Sequence, residues 1–371
     1  MKKLAILGAS YLQLPLVLKA NEMGLETHCF AWDNDEAVCK KAANYFYPIS
    51  VLNKEEILEK CREIGIDGIT TIATDICVPV ICYVARELGL ISNSYQSGVM
   101  ATNKARMRKA FDENNVNSPR SISTTEFDKG LFEKLAFPLI VKPTDRSGSR
   151  GVAKVFNMDE LEQAINRALG ESLEKKAVIE EFIQGEEVSV ESISWKGKHY
   201  ILTITDKVTT GEPYFVELEH HQPSGLPENV QNDIRTETFK ALNALDIKFG
   251  AGHSEFKITE DGKVMAIEVG ARMGGDFIGS HLVELSTGYD FLKGVINVAL
   301  DQFEEPSTET ENYSGVYFLS KDSEFLKPYF EKENDFDFEK KLLINELSYI
   351  SNSSDRSGYL IYRSKQKINL K

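Results

Sequence analysis

The stretch HSEFKITEDGKVMAIEVGARMGG, residues 253–275, reads as a strand, a tight turn and a second strand that sets two glutamates face to face. Asp261-Gly262 is a strong hairpin signal, because glycine accepts the positive φ of a primed two-residue turn. Counting outward pairs Thr259 with Val264, Lys257 with Ala266 and Glu255 with Glu268. Phe256, Ile258, Met265 and Ile267 then share the other face and are expected in a core. Two opposed carboxylates stand about 5 Å apart at Cβ and repel. The pair therefore needs a positive group between its members, a shared proton, or full exposure. His253 precedes Glu255 by two residues, on the same strand face.

A second stretch, VKPTDRSGSRGV, joins strand to strand through a glycine turn. It is not a Walker A loop, because Lys142 comes before the glycines rather than after them. The backbone of Ser147, Gly148, Ser149 and Gly151 can converge on an anion and close over triphosphate oxygens, with Lys142 anchored on the strand. The next strands, VIEEFIQGEEVSVE, hinge at Gly185. Glu180 and the backbone of Glu181, Phe182 and Ile183 suit an adenine edge, and Glu187 the ribose hydroxyls. Glu186 reads as surface.

These residues need a scaffold, and the rest of the chain supplies one. Its 371 residues exceed one compact core. A net charge of −14 argues against nucleic acid or an anionic membrane as main partner. Five cysteines with no CxxC spacing fit reduced, buried thiols in a cytoplasm. The opening MKKLAILGASYLQLPLVLKA reads as strand and helix rather than signal peptide, and no run suits a membrane span.

Alternating strand and helix at the N-terminus implies a parallel sheet. A dinucleotide fingerprint fails there, with Ser10 and Gln13 where glycines are required. A helix over TNKARMRKAFDENN, with Thr102 as N-cap, precedes the glycine loop. A β-meander is expected over 177–208, and EEPSTETEN reads as a linker before a small tail.

Taken in order, TNKARMRKAF, PLIVKP with its glycine loop, EEFIQGEE and HSEF…IEVGARMGG resemble the ATP-grasp superfamily. The likeness is to its carboxylate–amine ligases and carbamoyl-phosphate-synthase-like members, over about residues 1 to 300. The implied fold is α/β and α+β multidomain. A Rossmann-like domain would span 1–95, an ATP-grasp fold of two α+β subdomains 96–303, and a small α+β region 312–371. The resemblance implies that Lys104 and Lys142 hold nucleotide phosphates and that Glu180, Glu181, Phe182, Ile183 and Glu187 hold adenine and ribose. It implies that Glu255 and Glu268 bind Mg²⁺ and that Arg272, with Lys142, serves the transferred phosphoryl group. One departure is Gly270, where family members often carry Asn.

The implied chemistry is activation of a carboxylate, an amino acid among the candidates, as an acyl phosphate that an amine then attacks. The alternatives are bicarbonate or formate activation and a non-catalytic nucleotide-binding partner protein. Substrate candidates are His253, His220, Lys207, and a backbone nest at Gly274, Gly275 and Asp276, with His221 and His281 as possible neighbours. Expected ligands are ATP, Mg²⁺ and a small carboxylate and amine, with homodimerisation also open.

Overall fold

The computed structural model of the chain describes residues 1–371 apart from Ser147, Ser149, Pro213 and 309–311. The N-terminal region alternates β1 (Lys3–Leu7), α1 (Leu14–Glu22), β2 (Glu26–Phe30), β3 (Tyr45–Tyr47), α2 (Lys54–Ile64), β4 (Gly68–Thr70) and α3 (Val78–Leu88). The strands pair in parallel in the order β3-β2-β1-β4. Leu4, Ala5, Ile6 and Leu7 are all inaccessible, as a central parallel strand between helical layers requires. The turn after Gly8 is filled by Gln13. Its Oε1 accepts from the Ser10 N–H at 3.0 Å, and its Nε2 donates to the Ile72 carbonyl at 2.8 Å.

Two helices lead onward, α4 (Tyr95–Thr102) and α5 (Lys104–Glu113). Asn103, not Thr102, caps α5, its side chain accepting from the Arg106 N–H. Thr102 ends α4 instead, its hydroxyl turned back to the Gly98 carbonyl at 2.7 Å.

A first lobe follows: β5 (Ser121–Thr124), α6 (Lys129–Phe132), β6 (Leu139–Pro143), β7 (Ala153–Val155), α7 (Met158–Glu171) and β8 (Ala177–Glu181). The strands form an antiparallel sheet in the order β5-β8-β6-β7. Leu161, Ala164, Ile165 and Ala168, one face of α7, pack on Leu139, Val141 and Ile179. The second lobe holds β9 (Glu186–Trp195), β10 (Lys198–Thr209), β11 (Glu217–Gln222), α8 (Glu228–Ala244), β12 (Gly250–Ile258), β13 (Val264–Gly270), α9 (Val283–Thr287) and α10 (Phe291–Ala299). Beyond them lie β14 (Tyr313–Leu319), α11 (Lys327–Phe330), β15 (Asp337–Leu342) and β16 (Gly358–Ser364).

Three expectations are corrected here. The stretch 177–208 is not one meander, because β8 belongs to the small sheet while β9 and β10 belong to an eight-stranded one. The chain crosses between them at Gly185, where any Cβ would run into the Ile258 carbonyl. Residues 312–371 do not build a separate sheet. β14 pairs with β11, Tyr317 opposite Glu219, and with β16, so the tail extends the large sheet.

The hairpin register also differs. Thr259 N–H donates to the Lys263 carbonyl, so the β12–β13 loop has three residues, with Lys257 opposite Met265 and Ile258 opposite Val264. A bulge between Glu255 and Phe256 then restores Glu255 opposite Glu268. The core therefore takes Phe256, Ile258, Val264 and Ala266, and Ile267 turns to the cleft between the lobes.

Among the described residues no helix is long and apolar enough to cross a membrane. All five cysteines are buried and unpaired. Burial pushes their thiols up, Cys82 to about 11, which disfavours a thiolate nucleophile.

Candidate active site

The small sheet supplies a wall of cations. Lys142 on β6 and Glu180 on β8 lie on adjacent strands, with Lys142 Nζ 2.8 Å from Glu180 Oε2. Arg108, one turn beyond Lys104 on α5, closes on the same carboxylate, Nε to Oε1 at 2.9 Å. Its Nη2 also donates to the carbonyl of the bulged Ile267 at 2.6 Å. The Glu180 side chain, expected at the adenine edge, is thus committed to holding Lys142. Burial alone would raise the Glu180 carboxyl, but Arg108 and Lys142 hold it below its ordinary range. Burial lowers Lys142; Glu180 opposes the fall, and Arg108 and Lys104 add to it.

Lys104 joins this wall to the large sheet, its Nζ donating to the Arg146 carbonyl and to Glu268 Oε1, both at 2.8 Å. A cleft of about 180 Å³ opens beside it. Of the predicted nucleotide residues, Lys104, Lys142 and Gly148 line it, as do Glu180, Glu181, Phe182, Ile183 and Glu187. Ser147 and Ser149 lie outside the described residues. The Glu181 carboxylate accepts from the Ala136 N–H at 3.1 Å, and its own N–H donates to the Arg120 carbonyl at 3.0 Å. The Phe182 ring stands 6.2 Å from that of Phe215, with Lys154 Nζ 3.7 Å from its centroid. Sequence reasoning missed Arg108, Phe215, Lys257 and Ile267. The signals for Arg108 and Lys257 were spacing: four residues from Lys104 on a helix, two from Glu255 on a strand.

The large sheet supplies the opposite wall. Glu255 and Glu268 do face each other, each held by a lysine: Lys104 on Glu268, and Lys207 on Glu255 at 3.0 Å. Lys207 is only 2% exposed and also reaches Glu187 at 2.8 Å and Glu217 at 3.5 Å. Burial would lower it, yet Glu255, Glu187 and Glu217 raise it well above the lysine range. Glu255 is correspondingly well below its range: burial opposes ionisation, and Lys207 and His253 overcome it.

His253 does point into this site. Its Nδ1 bonds to the fully buried Glu191, and its Nε2 lies 3.3 Å from Glu255 Oε1. Burial pushes the ring down, but Glu191 and then Glu255 raise it to about 9, so it is cationic at neutral pH. Glu191 also accepts from the Gly274 N–H at 3.0 Å. The expected nest at Gly274 and Gly275 therefore holds the chain's own carboxylate at Gly274.

Arg272 grips Asp75, which follows β4 in the N-terminal region, through Nε at 2.8 Å and Nη2 at 3.0 Å. A parallel bridge, Ile72 to Met273, brings that loop in. Burial would lower Arg272, and Asp75 raises it. The departure at Gly270 has a physical filler: a Cβ there would meet Asp75 Oδ1 at 2.7 Å. Among the described residues no three His, Cys, Asp or Glu side chains gather as a metal cage. Two facing glutamates with a phosphate and water are nonetheless the hard-oxygen set that Mg²⁺ prefers, so the donor chemistry fits.

The remaining candidates divide. His220 and Asp276 lie together, Nε2 to Oδ2 at 3.8 Å, and Asp276 is held by Arg356 at 2.9 Å rather than capping a helix. His221 is structural, bonded to Glu219 at 3.0 Å and Tyr362 at 2.9 Å. His281 packs beside Phe277 and bonds to Ser280 at 2.8 Å, outside this cluster.

Two lobes gripping a lysine- and glutamate-lined cleft, behind a parallel N-terminal sheet, define the ATP-grasp architecture, and residues 135–280 match the ATP-grasp domain family. The chain contains an ATP-grasp domain. It is 27% identical over 303 residues to alanine–anticapsin ligase of Bacillus subtilis (strain 168), covering 72% of this chain and 64% of that protein. It is also 27% identical over 259 residues to the carbamoyl phosphate synthase large chain of Caldanaerobacter subterraneus subsp. tengcongensis, covering 69% of this chain and 24% of that one. The structure is similar to an L-amino acid ligase from Bacillus licheniformis, with a TM-score of 0.82 at 24% identity over 99% of this chain and 94% of that one. The chain thus spans 64% of the length of the alanine–anticapsin ligases it matches.

Proposed function

We propose that the protein is an ATP- and Mg²⁺-dependent ligase that activates a carboxylate as an acyl phosphate for attack by an amine, releasing ADP and phosphate. The observation that carries this reading is a cleft lined by Lys104, Lys142 and Glu268, with Glu255 opposite Glu268 across the β12–β13 pair. Lys142, held on Glu180, and Lys104, held on Glu268, are the anion-seeking groups for the triphosphate. The Phe182–Ile183 segment and Phe215 offer an apolar slot for the base. Glu255 and Glu268 would hold Mg²⁺, which neutralises phosphate charge when bound with the nucleotide.

Arg272, fixed by Asp75, stands at the exit of β13 to neutralise charge on the group in transfer. The glycine loop closing over the cleft would exclude water from the activated intermediate. Phosphoryl transfer of this kind needs positioning and charge neutralisation rather than a protein nucleophile. The similarity to alanine–anticapsin ligase and to an L-amino acid ligase favours a carboxylate–amine pair over bicarbonate.

The test is ADP release with Mg²⁺ across amino acids, amino-acid pairs, small carboxylates and bicarbonate, with Glu268→Gln as control. Release that depends on a carboxylate and an amine, and is lost in the variant, is the expected result. A purified protein that binds no ATP analogue would sink the reading.

A further inference from the structure

Glu191 has no part in the chemistry proposed above, yet its carboxylate is completely inaccessible to solvent. It lies on β9, opposite His253 of β12 on one side and Thr203 of β10 on the other. Taking a carboxylate out of water is costly unless its oxygens are satisfied. Here each oxygen has one donor. Oε1 accepts from His253 Nδ1, and Oε2 accepts from the Gly274 N–H at 3.0 Å.

Both donors lead back to the cleft. His253 turns its other nitrogen to Glu255, Nε2 to Oε1 at 3.3 Å, so the ring is fixed between a carboxylate no ligand can reach and the one assigned to Mg²⁺. Gly274 stands two residues after Arg272. The N-terminal region holds this turn from one side, with the Ala73 N–H donating to the Met273 carbonyl at 3.0 Å and Asp75 gripping Arg272. Glu191 holds it from the other. Its approach demands glycine, because a Cβ at 274 would stand 2.5 Å from Glu191 Oε1 and 2.7 Å from His253 Nδ1. Glu191 is itself carried on a strand paired on both edges, a rigid base for such a task. Hydrogen bonds behind a ligating group orient it, and their loss weakens metal binding although they never touch the metal.

We propose that Glu191 is the positioning residue of this site: through His253 it fixes the Glu255 carboxylate that would hold Mg²⁺, and through Gly274 it fixes the turn that follows Arg272. The assignment rests on the ligase reading above and adds to it a residue that touches neither nucleotide nor metal.

Two variants cut the link to Glu255 without emptying the core. In Glu191→Gln the amide oxygen can still accept from Gly274, but the NH₂ group cannot accept from Nδ1–H. In His253→Asn a donor remains near the Nδ1 position, and the reach of Nε2 is gone. The experiment is calorimetry of a non-hydrolysable ATP analogue, titrated with Mg²⁺ and repeated in a chelator, beside the melting temperature of each protein. The Mg²⁺ concentration for half-maximal binding should rise roughly 10- to 100-fold in both variants, with affinity in the chelator unchanged. If Glu191→Gln does not fold, His253→Asn, which leaves Glu191 paired, decides alone. In ADP release, Gly274→Ala should lower kcat roughly 100-fold with the KM for ATP held, because the turn after Arg272 is displaced. An unmoved Mg²⁺ requirement in the folded variants makes Glu191 a structural residue only and overturns the proposal, leaving the ligase reading standing. An unmoved kcat in folded Gly274→Ala removes the arm to the turn. A parent protein whose affinity for the analogue ignores Mg²⁺ removes the metal role of Glu255 and the proposal with it.

Discussion

Lys142 and Lys207 are both buried beside glutamates, yet they sit in opposite electrostatic company. Lys142 has one carboxylate, Glu180, and shares it with Arg108 while Lys104 stands near, so its ammonium is under-compensated and lowered. Lys207 has three carboxylates within 3.5 Å and is raised far above its ordinary range. The same side chain is thus an anion-seeking group in the small sheet and a spacer between carboxylates in the large one. Across the cleft, a wall short of negative charge faces a wall short of positive charge, which is the arrangement a metal–polyphosphate complex would satisfy on both sides.

The comparison can be broken most directly at the spacer. Lys207→Met leaves three carboxylates without their shared cation, and a stability loss of about 3–5 kcal/mol is expected in denaturant unfolding. Added Mg²⁺ should restore more in the variant than in the parent, and a loss under ~1 kcal/mol would show the carboxylates to be solvated instead. At the other wall, Lys142→Met should cut ADP release roughly 100- to 1,000-fold. Its unfolding midpoint should hardly move, because Arg108 still pairs Glu180. A comparable loss of stability in both variants would erase the distinction between the two lysines.

A smaller effect concerns the link between the walls. A nucleotide that draws Lys104 from Glu268 strips that carboxylate of its cation. Calorimetry should therefore find a non-hydrolysable ATP analogue bound about 5- to 150-fold tighter with Mg²⁺ than with a chelator. Equal affinities would mean that Lys104 keeps its glutamate. The smallest effect is in pH. Glu255, Asp75 and Asp276 titrate below their ordinary ranges in the folded protein. Their stabilisation is present above the unfolded carboxylate pKa of about 4 and is lost as pH falls through the folded values. Unfolding midpoints should be level from neutral pH to about 5 and fall steeply below, more gently in Asp276→Asn. A profile that does not change between parent and variant counts against the Asp276–Arg356 pair.

Much of this was readable from spacing, and one correct result had compensating errors behind it. Glu255 does oppose Glu268, but through a three-residue loop corrected by a bulge rather than through a two-residue turn. The alternation rule consequently sent Ile267 to the core, whereas it lines the cleft; Met265 is buried as expected, but Val264 and Ala266 are the residues that join Phe256 and Ile258. Local signals gave the parallel N-terminal strands, α5 and α7, because each is set by periodicity within a few residues. Asp75 carries no local sign of its role, since its partner Arg272 lies 197 residues away. Arg356 is similar: its approach to Asp276 depends on β14 joining β11. Long-range pairing of this kind leaves no periodic trace.

The continuation of the large sheet into β14 and β16 also bears on the order in which the protein is made. A ribosome delivers Lys142, Glu255 and Glu268 well before it delivers Arg356, and β11 must wait for strands still to be synthesised before it has a neighbour on its outer side. Until then Asp276 has no guanidinium to hold it. The residues of the nucleotide cleft are thus all delivered before the contact between Arg356 and Asp276 can form, which makes that pairing one of the last events in building the molecule.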